Sequence, residues 1–249
     1  MAIRSTVLVQ VLSLAALLAL WQFAAVLADS RVLPPPLQVL EVMIAGFEDG
    51  EVPYHIGITL ARVAASFVLA MAIGVAFGIV MGRSKGLDRF FDGWLVLFLN
   101  IPALVTIILF YVWFGLIEAA AIAAVAINKI PNVIVTVREG ARSLNPDYQE
   151  MAQSFQLSRA KTLRHVVLPQ LFPFVVAAAR SGLALIWKIV LVVELLGRSN
   201  GVGFQLYTFF QLFDVTSIFA YTLAFVAVVQ IIELAVLQPL EAKANRWRR

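Results

Sequence analysis

The sequence predicts an all-α integral membrane protein with six membrane-crossing helices. Three observations carry that expectation. Hydrophobic residues make up 61% of the 249 residues and charged residues only 14%, with a mean hydropathy of +0.91, a composition no ordinary soluble domain has. Apolar runs long enough to cross a bilayer, about 20 residues each, recur along the chain and leave little length for a separate soluble domain. Lysine and arginine, finally, concentrate in alternate connections between those runs.

Residues 1–32 form the first unit: a short polar start with Arg4, then an apolar run from Val7 to Ala28. The run exceeds the apolar core of a secretory signal and lacks a small-x-small cleavage site, so a retained span is expected. Residues 33–55 follow as an amphipathic segment on the outer membrane surface. It opens on Pro34-Pro35-Pro36 and spaces Leu37, Leu40, Val42, Met43, Ile44 and Phe47 among the acids Glu41, Glu48, Asp49 and Glu51. The remaining core, 56–240, begins with a span from Ile56 to Met81. There Gly74, Gly78 and Gly82 recur every four residues, the small-residue stripe that lets another helix approach closely. Arg62 lies near the outer end of this span and is expected to snorkel.

A short charged loop from Gly82 to Gly93 leads to a third span, Trp94 to Phe114, carrying Asn100, Pro102 and Thr106; its proline marks a bend beside a cavity. The fourth span reaches Val137 and contains Asn128, Lys129 and Pro131. A polar connection, 138–169, separates it from a fifth span, Leu171 to Leu196, with Arg180, Trp187, Lys188 and Glu194. Arg180, Trp187 and Glu194 recur every seven residues and predict one bundle-facing face with an ion-pair network. After an outer loop, Gly197 to Thr216, whose segment Phe204 to Phe213 dips into the interface, the sixth span runs from Ser217 to Leu237. A basic tail, 241–249, ends the chain.

Orientation follows from basic residues alone. One set of connections holds Arg4, then Arg83, Lys85 and Arg89, then Arg138, Arg142, Arg159, Lys161 and Arg164, then Lys243, Arg246, Arg248 and Arg249. The other holds Arg31 and Arg198. Positive charge stays inside, so both termini and the 138–169 connection are expected in the cytoplasm of a multi-pass protein of a bacterial inner membrane. Membrane lipid, and not nucleic acid, accounts for these dispersed charges.

The longest polar interruption, Gln149 to Pro169, reads as two short helices, Glu150 to Phe155 and Arg159 to Val167. They break at Gln156-Leu157, Ser158 is the N-cap of the second, and Pro169 is its stop. This stretch resembles the "EAA" loop of permease subunits of bacterial binding-protein-dependent ABC importers: Glu-Ala-Ala, three residues, Gly, nine residues, a β-branched apolar residue, one residue, Leu-Pro. Glu150, Met151 and Ala152 take the first places, Gln156 the glycine place, Val166 the apolar place, and Leu168-Pro169 close the pattern. Met151 and Gln156 depart from it. The resemblance extends from Leu33 onward through Ile101-Pro102, Trp113-Phe114-Gly115, Gly182, Glu194-Leu195-Leu196-Gly197 and Gly201-Val202-Gly203, and points to the aliphatic sulfonate, taurine and nitrate branch.

The resemblance implies a type I importer fold with a cytoplasmic coupling helical hairpin and a homodimer of this chain. It also implies two ATP-binding cassette subunits that hold ATP and Mg, and a periplasmic or lipid-anchored solute-binding protein. Glu150, Met151, Ala152, Ser154, Phe155, Gln156, Leu157, Ser158 and Arg159 would form the contact with the ATPase. The residues themselves argue against an enzyme. The chain has no cysteine, its two histidines, His55 and His165, fall at opposite membrane boundaries, and no GxxxxGK[ST] phosphate loop occurs, so no metal or cofactor of its own is expected. Candidates for a substrate path are Asn100, Thr106, Lys129, Trp187 and Lys188, with Arg180 and Glu194 as structural intramembrane polar groups. Alternative readings are an ion-gradient transporter, for which only Glu194 and Glu233 are membrane carboxylates, and a membrane assembly protein that moves nothing.

Overall fold

A computed structural model describes residues 2–239; the basic tail 241–249 lies outside the described residues. The helices are α1 (Ala2–Ala28), α2 (Pro36–Glu48), α3 (Glu51–Arg83), α4 (Lys85–Asn100), α5 (Ala103–Phe114), α6 (Glu118–Arg142), α7 (Pro146–Ser154), α8 (Arg159–Thr162), α9 (Leu168–Gly197), α10 (Val202–Gln211) and α11 (Val215–Ile232). A π-turn at Leu163–Val167 joins α8 to α9, and another at Glu233–Leu237 extends α11. Among the described residues, five helical stretches are long and apolar enough to cross a membrane, or six when the bent pair α4–α5 counts as one span.

The core of the bundle is the α3–α6 pair. Gly74, Gly78 and Gly82 on α3 meet Val133, Val137 and Ala141 on α6, two ridges each spaced at four. A methyl group on Gly78 would stand 2.8 Å from Val137 Cβ and 3.1 Å from the Ile134 carbonyl oxygen, so only glycine permits this approach. The sequence expectation of a close-packing stripe is met. Helix α9 lies across both partners, burying Ile186, Trp187, Val190 and Val193 against Val63, Ala121 and Val125. At the periphery, the Trp21 indole donates to the Pro34 carbonyl at 3.0 Å and stacks on Phe219, tying α1 to the start of α2 and to α11.

The bend expected at Pro102 is present and sharp: α4 and α5 meet at 94° around Asn100, Ile101 and Pro102. Pro102 holds Ile101 extended, with φ −73° and ψ 122°, and so stops α4; the Asn100 amide donates back to the Val96 carbonyl at 2.7 Å. Other sequence expectations are corrected. The charged "loop" from Gly82 to Gly93 is helical except at Ser84, whose hydroxyl caps α4 through Leu87 N. The second span starts at Glu51 rather than Ile56, inside the segment assigned to the membrane surface, which as α2 keeps the predicted amphipathic form. Pro169 does not end a helix. The π-turn just upstream resets the hydrogen-bond register so that Pro169 falls in the first turn of α9, where its missing N–H costs nothing, and the second limb of the polar connection continues into the fifth span.

Candidate functional site

The polar connection folds into an elbow at one end of the bundle. Its first limb, α7, begins four residues before Glu150. Asn145 caps it, accepting from Asp147 N at 2.9 Å, with Pro146 at the first helical position. It ends in a Schellman turn: Leu157 N donates to Ala152 O at 2.9 Å and Gln156 N to Gln153 O at 2.9 Å, while Gln156 adopts the left-handed φ of 49°. The residue in the family's glycine place therefore has the conformation glycine favours, and glutamine carries the steric cost. Ser158 then caps the second limb, accepting from Lys161 N at 3.4 Å, as the sequence indicates.

The elbow is held to the bundle from inside. The Gln170 side chain accepts from Asn145 N at 3.1 Å and donates to Val166 O at 2.9 Å, bridging the two limbs. Ala152, Val166 and Val167 are buried, so Ala152 supports α7 from behind rather than presenting itself outward. The Ser154 hydroxyl donates to the Glu150 carbonyl at 3.0 Å and is likewise committed to the helix. What α7 does present is Met151, 45% exposed, and Phe155, 74% exposed, one turn apart. Met151 also lines an open cleft of about 910 Å³ together with Tyr148, His165 and Phe172. Beside the elbow, Arg138 pairs with Asp92 at 2.6 Å and Asp88 at 3.3 Å, and Arg142 with Asp88 and Glu139, which pins the start of α4 to the end of α6. Apolar side chains on a rigid, capped helix whose base is braced by ion pairs can receive a partner and pass its movement on.

At the opposite end lies a polar knot that sequence reasoning missed. Arg62 is 3% exposed and does not snorkel. Its Nε donates to Glu118 at 2.6 Å, its Nη1 to Glu194 and to the Asn200 carbonyl, both at 2.8 Å, and its Nη2 to Glu118 and to the Asn200 side chain. Glu194, fully buried, also accepts from Thr59 at 2.9 Å and from Gly203 N at 2.8 Å. The His55 imidazole accepts from Gly201 N at 2.9 Å, and Arg198 pairs with Glu118 at 2.8 Å. Gly201, at φ 103°, leaves no room for a side chain, because a methyl group would enter the Glu194 carboxylate. The knot thus stitches α3, α6, α9 and the loop into α10. An arginine within an apolar run demands a counter-charge, and that was the available signal; which carboxylate answered it depended on helix packing.

The expected stripe of Arg180, Trp187 and Glu194 is not one network. Arg180 pairs with Glu233 at 3.1 Å, Trp187 packs edge-on against Phe225 in the core, and Glu194 belongs to the knot. Among the proposed path residues, Asn100 is exposed at the break, Thr106 and Trp187 are buried, Lys188 is exposed on α9, and Lys129 is buried. The structure does not bring these five together. His55 and His165 sit at opposite ends, His165 with Nδ1 3.1 Å from the Lys161 carbonyl.

A multi-helix membrane bundle with a glycine-packed core, one broken helix and a braced elbow with an apolar tip defines a membrane-embedded transport subunit. The family described as "binding-protein-dependent transport system inner membrane component" matches residues 74–237, and the chain belongs to it: it is an ABC importer permease. It is 28% identical to the putative aliphatic sulfonates transport permease protein SsuC of Bacillus subtilis (strain 168) over 94% of this chain and 85% of that one. It is also 28% identical to the taurine transport system permease protein TauC of Escherichia coli (strain K12), over 94% of this chain and 88% of the relative. Among solved structures, the inward-facing MetNI methionine ABC transporter superposes with a TM-score of 0.67 at 18% identity, covering 76% of this chain and 94% of that one, a likeness of fold.

Proposed function

We propose that two copies of this chain form the membrane pore of an ATP-driven importer for a small organic or inorganic anion of the sulfonate, taurine or nitrate type. In this reading an ATP-binding subunit, which carries ATP and Mg, grips the elbow of each copy, and a binding protein delivers the solute to the opposite end. The single observation that carries it is the pair Met151 and Phe155, held bare on a capped, braced helix. Apolar surface of that kind at the water-facing end of a membrane protein is a contact waiting for a protein partner. Glu150, Gln156, Leu157, Ser158 and Arg159 surround the tip and orient it.

Closing the two ATP-binding subunits would draw both elbows together, and because α8, the π-turn and α9 form one continuous rod, the displacement would travel straight into the fifth span. Transport is then a shift between two packings of the same bundle, biased by nucleotide at the partner. The distribution of lysine and arginine supports a cytoplasmic elbow and cytoplasmic termini. Co-purification of this chain with an ATPase, followed by ATP-dependent uptake in liposomes containing the full complex, tests the reading. Uptake driven by an ion gradient without ATP would refute it, as would a purified permease that neither binds an ATPase nor moves solute.

A further inference from the structure

Lys129 is buried halfway along α6, about 16 Å from Glu118 at 1.5 Å per residue and a little further from Arg142, near the middle of this membrane-crossing helix. It is 2% exposed. Among the described residues, the other charged side chains buried in the bundle, Arg62 and Glu194, hold each other. Lys129 has neither a hydrogen-bond nor an ion-pair partner among the described residues. An ammonium group in that setting is expensive unless something completes it, and an ionisable residue at membrane depth marks a solute path by default.

The surroundings are shaped for the lysine. Its Cε rests against α9 at Gly182, where a methyl group would stand 3.1 Å from it, and the Phe67 ring of α3 closes the same spot at 3.9 Å. Three helices therefore meet around the lysine stem, and α9 has no side chain where the stem crosses it. Asn132 and Thr136, three and seven positions further along α6, share the Lys129 face. Both are partly buried, and the Asn132 amide has no hydrogen-bond partner among the described residues, while Thr136 donates to the Asn132 carbonyl at 3.1 Å. On the neighbouring surface of α9, Ser181, Ala184 and Lys188 are exposed beside Leu185.

We infer that Lys129 is the charge-selecting residue of the translocation path, its ammonium taking a small oxyanion as the missing counter-charge, with the Asn132 amide as a second donor. This rests on the reading of the chain as an anion importer. The lysine stem crosses α9 at the Gly182 notch, so a shift of α9 against α6 changes how far the amine is open to solute. The anion gains a charge-assisted hydrogen bond in a medium of low dielectric constant, and an uncharged analogue of the same size gains none.

The test uses the complete complex in proteoliposomes, with ethanesulfonate and nitrate as anionic probes and taurine as a zwitterion that carries the same sulfonate group. For Lys129→Met, uptake of the anion that the parent carries falls about tenfold or more, the scale of one lost charge-assisted bond. The melting temperature stays level or rises, since a buried unpaired charge has been removed, and the ATP-binding subunit still co-purifies. Lys129→Arg, which keeps the charge, retains more uptake than Lys129→Met. Parental uptake by Lys129→Met overturns the inference. So does a joint loss of uptake and melting temperature that Lys129→Arg shares, since that is a structural role. A parent complex that couples ATP to uptake of a neutral solute, and moves none of the anions, overturns Lys129 as charge selector and leaves the permease reading intact. A parent that binds no ATPase overturns both.

Discussion

Replacing Glu194 with Leu removes the acceptor shared by Arg62 Nη1 at 2.8 Å, Thr59 at 2.9 Å and Gly203 N at 2.8 Å, all in a site closed to water. Breaking a buried ion pair by removing one partner costs about 3–5 kcal/mol; here Arg62 keeps Glu118 at 2.6 Å but loses its fully buried partner, and Gly203 N loses its acceptor in the same dry site. At about 2–4 °C per kcal/mol for a chain of this size, the melting temperature falls by about 6–20 °C. Arg62→Met should cost a similar amount, stranding Glu194, while Glu118 keeps Arg198 at 2.8 Å. The double variant strands neither buried charge and fills the space with apolar atoms. Its loss should fall short of the sum of the single losses by about 2–3 kcal/mol, the upper range for coupled neighbours. Thermal unfolding in nanodiscs, with equilibrium unfolding by SDS in mixed micelles as a second readout, measures the cycle. Single variants within about 2 °C of the parent, or losses that simply add, would refute the knot as described.

Two further outcomes follow from close geometry. Gln156→Gly relieves a left-handed φ of 49° at the elbow and should slow amide exchange in α7, with a gain of up to about 1 kcal/mol; no change, or a loss, would show that the Gln156 side chain makes a contact of its own. Gly78→Ala places a methyl group 2.8 Å from Val137 Cβ and must push α3 from α6, lowering stability by about 1–3 kcal/mol, whereas Gly57→Ala on the same helix meets nothing within 4 Å and should be close to neutral. Equal effects at the two positions, read by melting temperature, would contradict the glycine-ridge packing.

Much of the architecture was legible from residue pattern. Membrane spans declare themselves by apolar length, and the glycine spacing at 74, 78 and 82 announced a close helix partner. The elbow break at Gln156 was legible because cap chemistry is local: Ser158 and the residue in the glycine place each act within a few positions. The misreadings share a cause. Pro102 bends its span as expected, by 94°, yet Pro169, the same residue type, does not stop its helix, since a π-turn at Leu163–Val167 precedes only the second. That difference depends on backbone register set by packing. Arg62 looked close enough to the membrane edge to reach water, but Glu118, Glu194 and Asn200, distant in sequence, converge on it. The seven-residue spacing of Arg180, Trp187 and Glu194 drifts around the helix enough for each to meet a different neighbour.

The absence of cysteine offers a direct probe of the elbow. In Phe155→Cys, the single thiol should react with a membrane-impermeant maleimide in inside-out vesicles and not in right-side-out ones. In the assembled complex it should be protected, and a short bifunctional reagent should join it to the ATP-binding subunit. A thiol labelled from the outside, or equally open with and without that subunit, would contradict the claim that force enters this permease at the tip of α7.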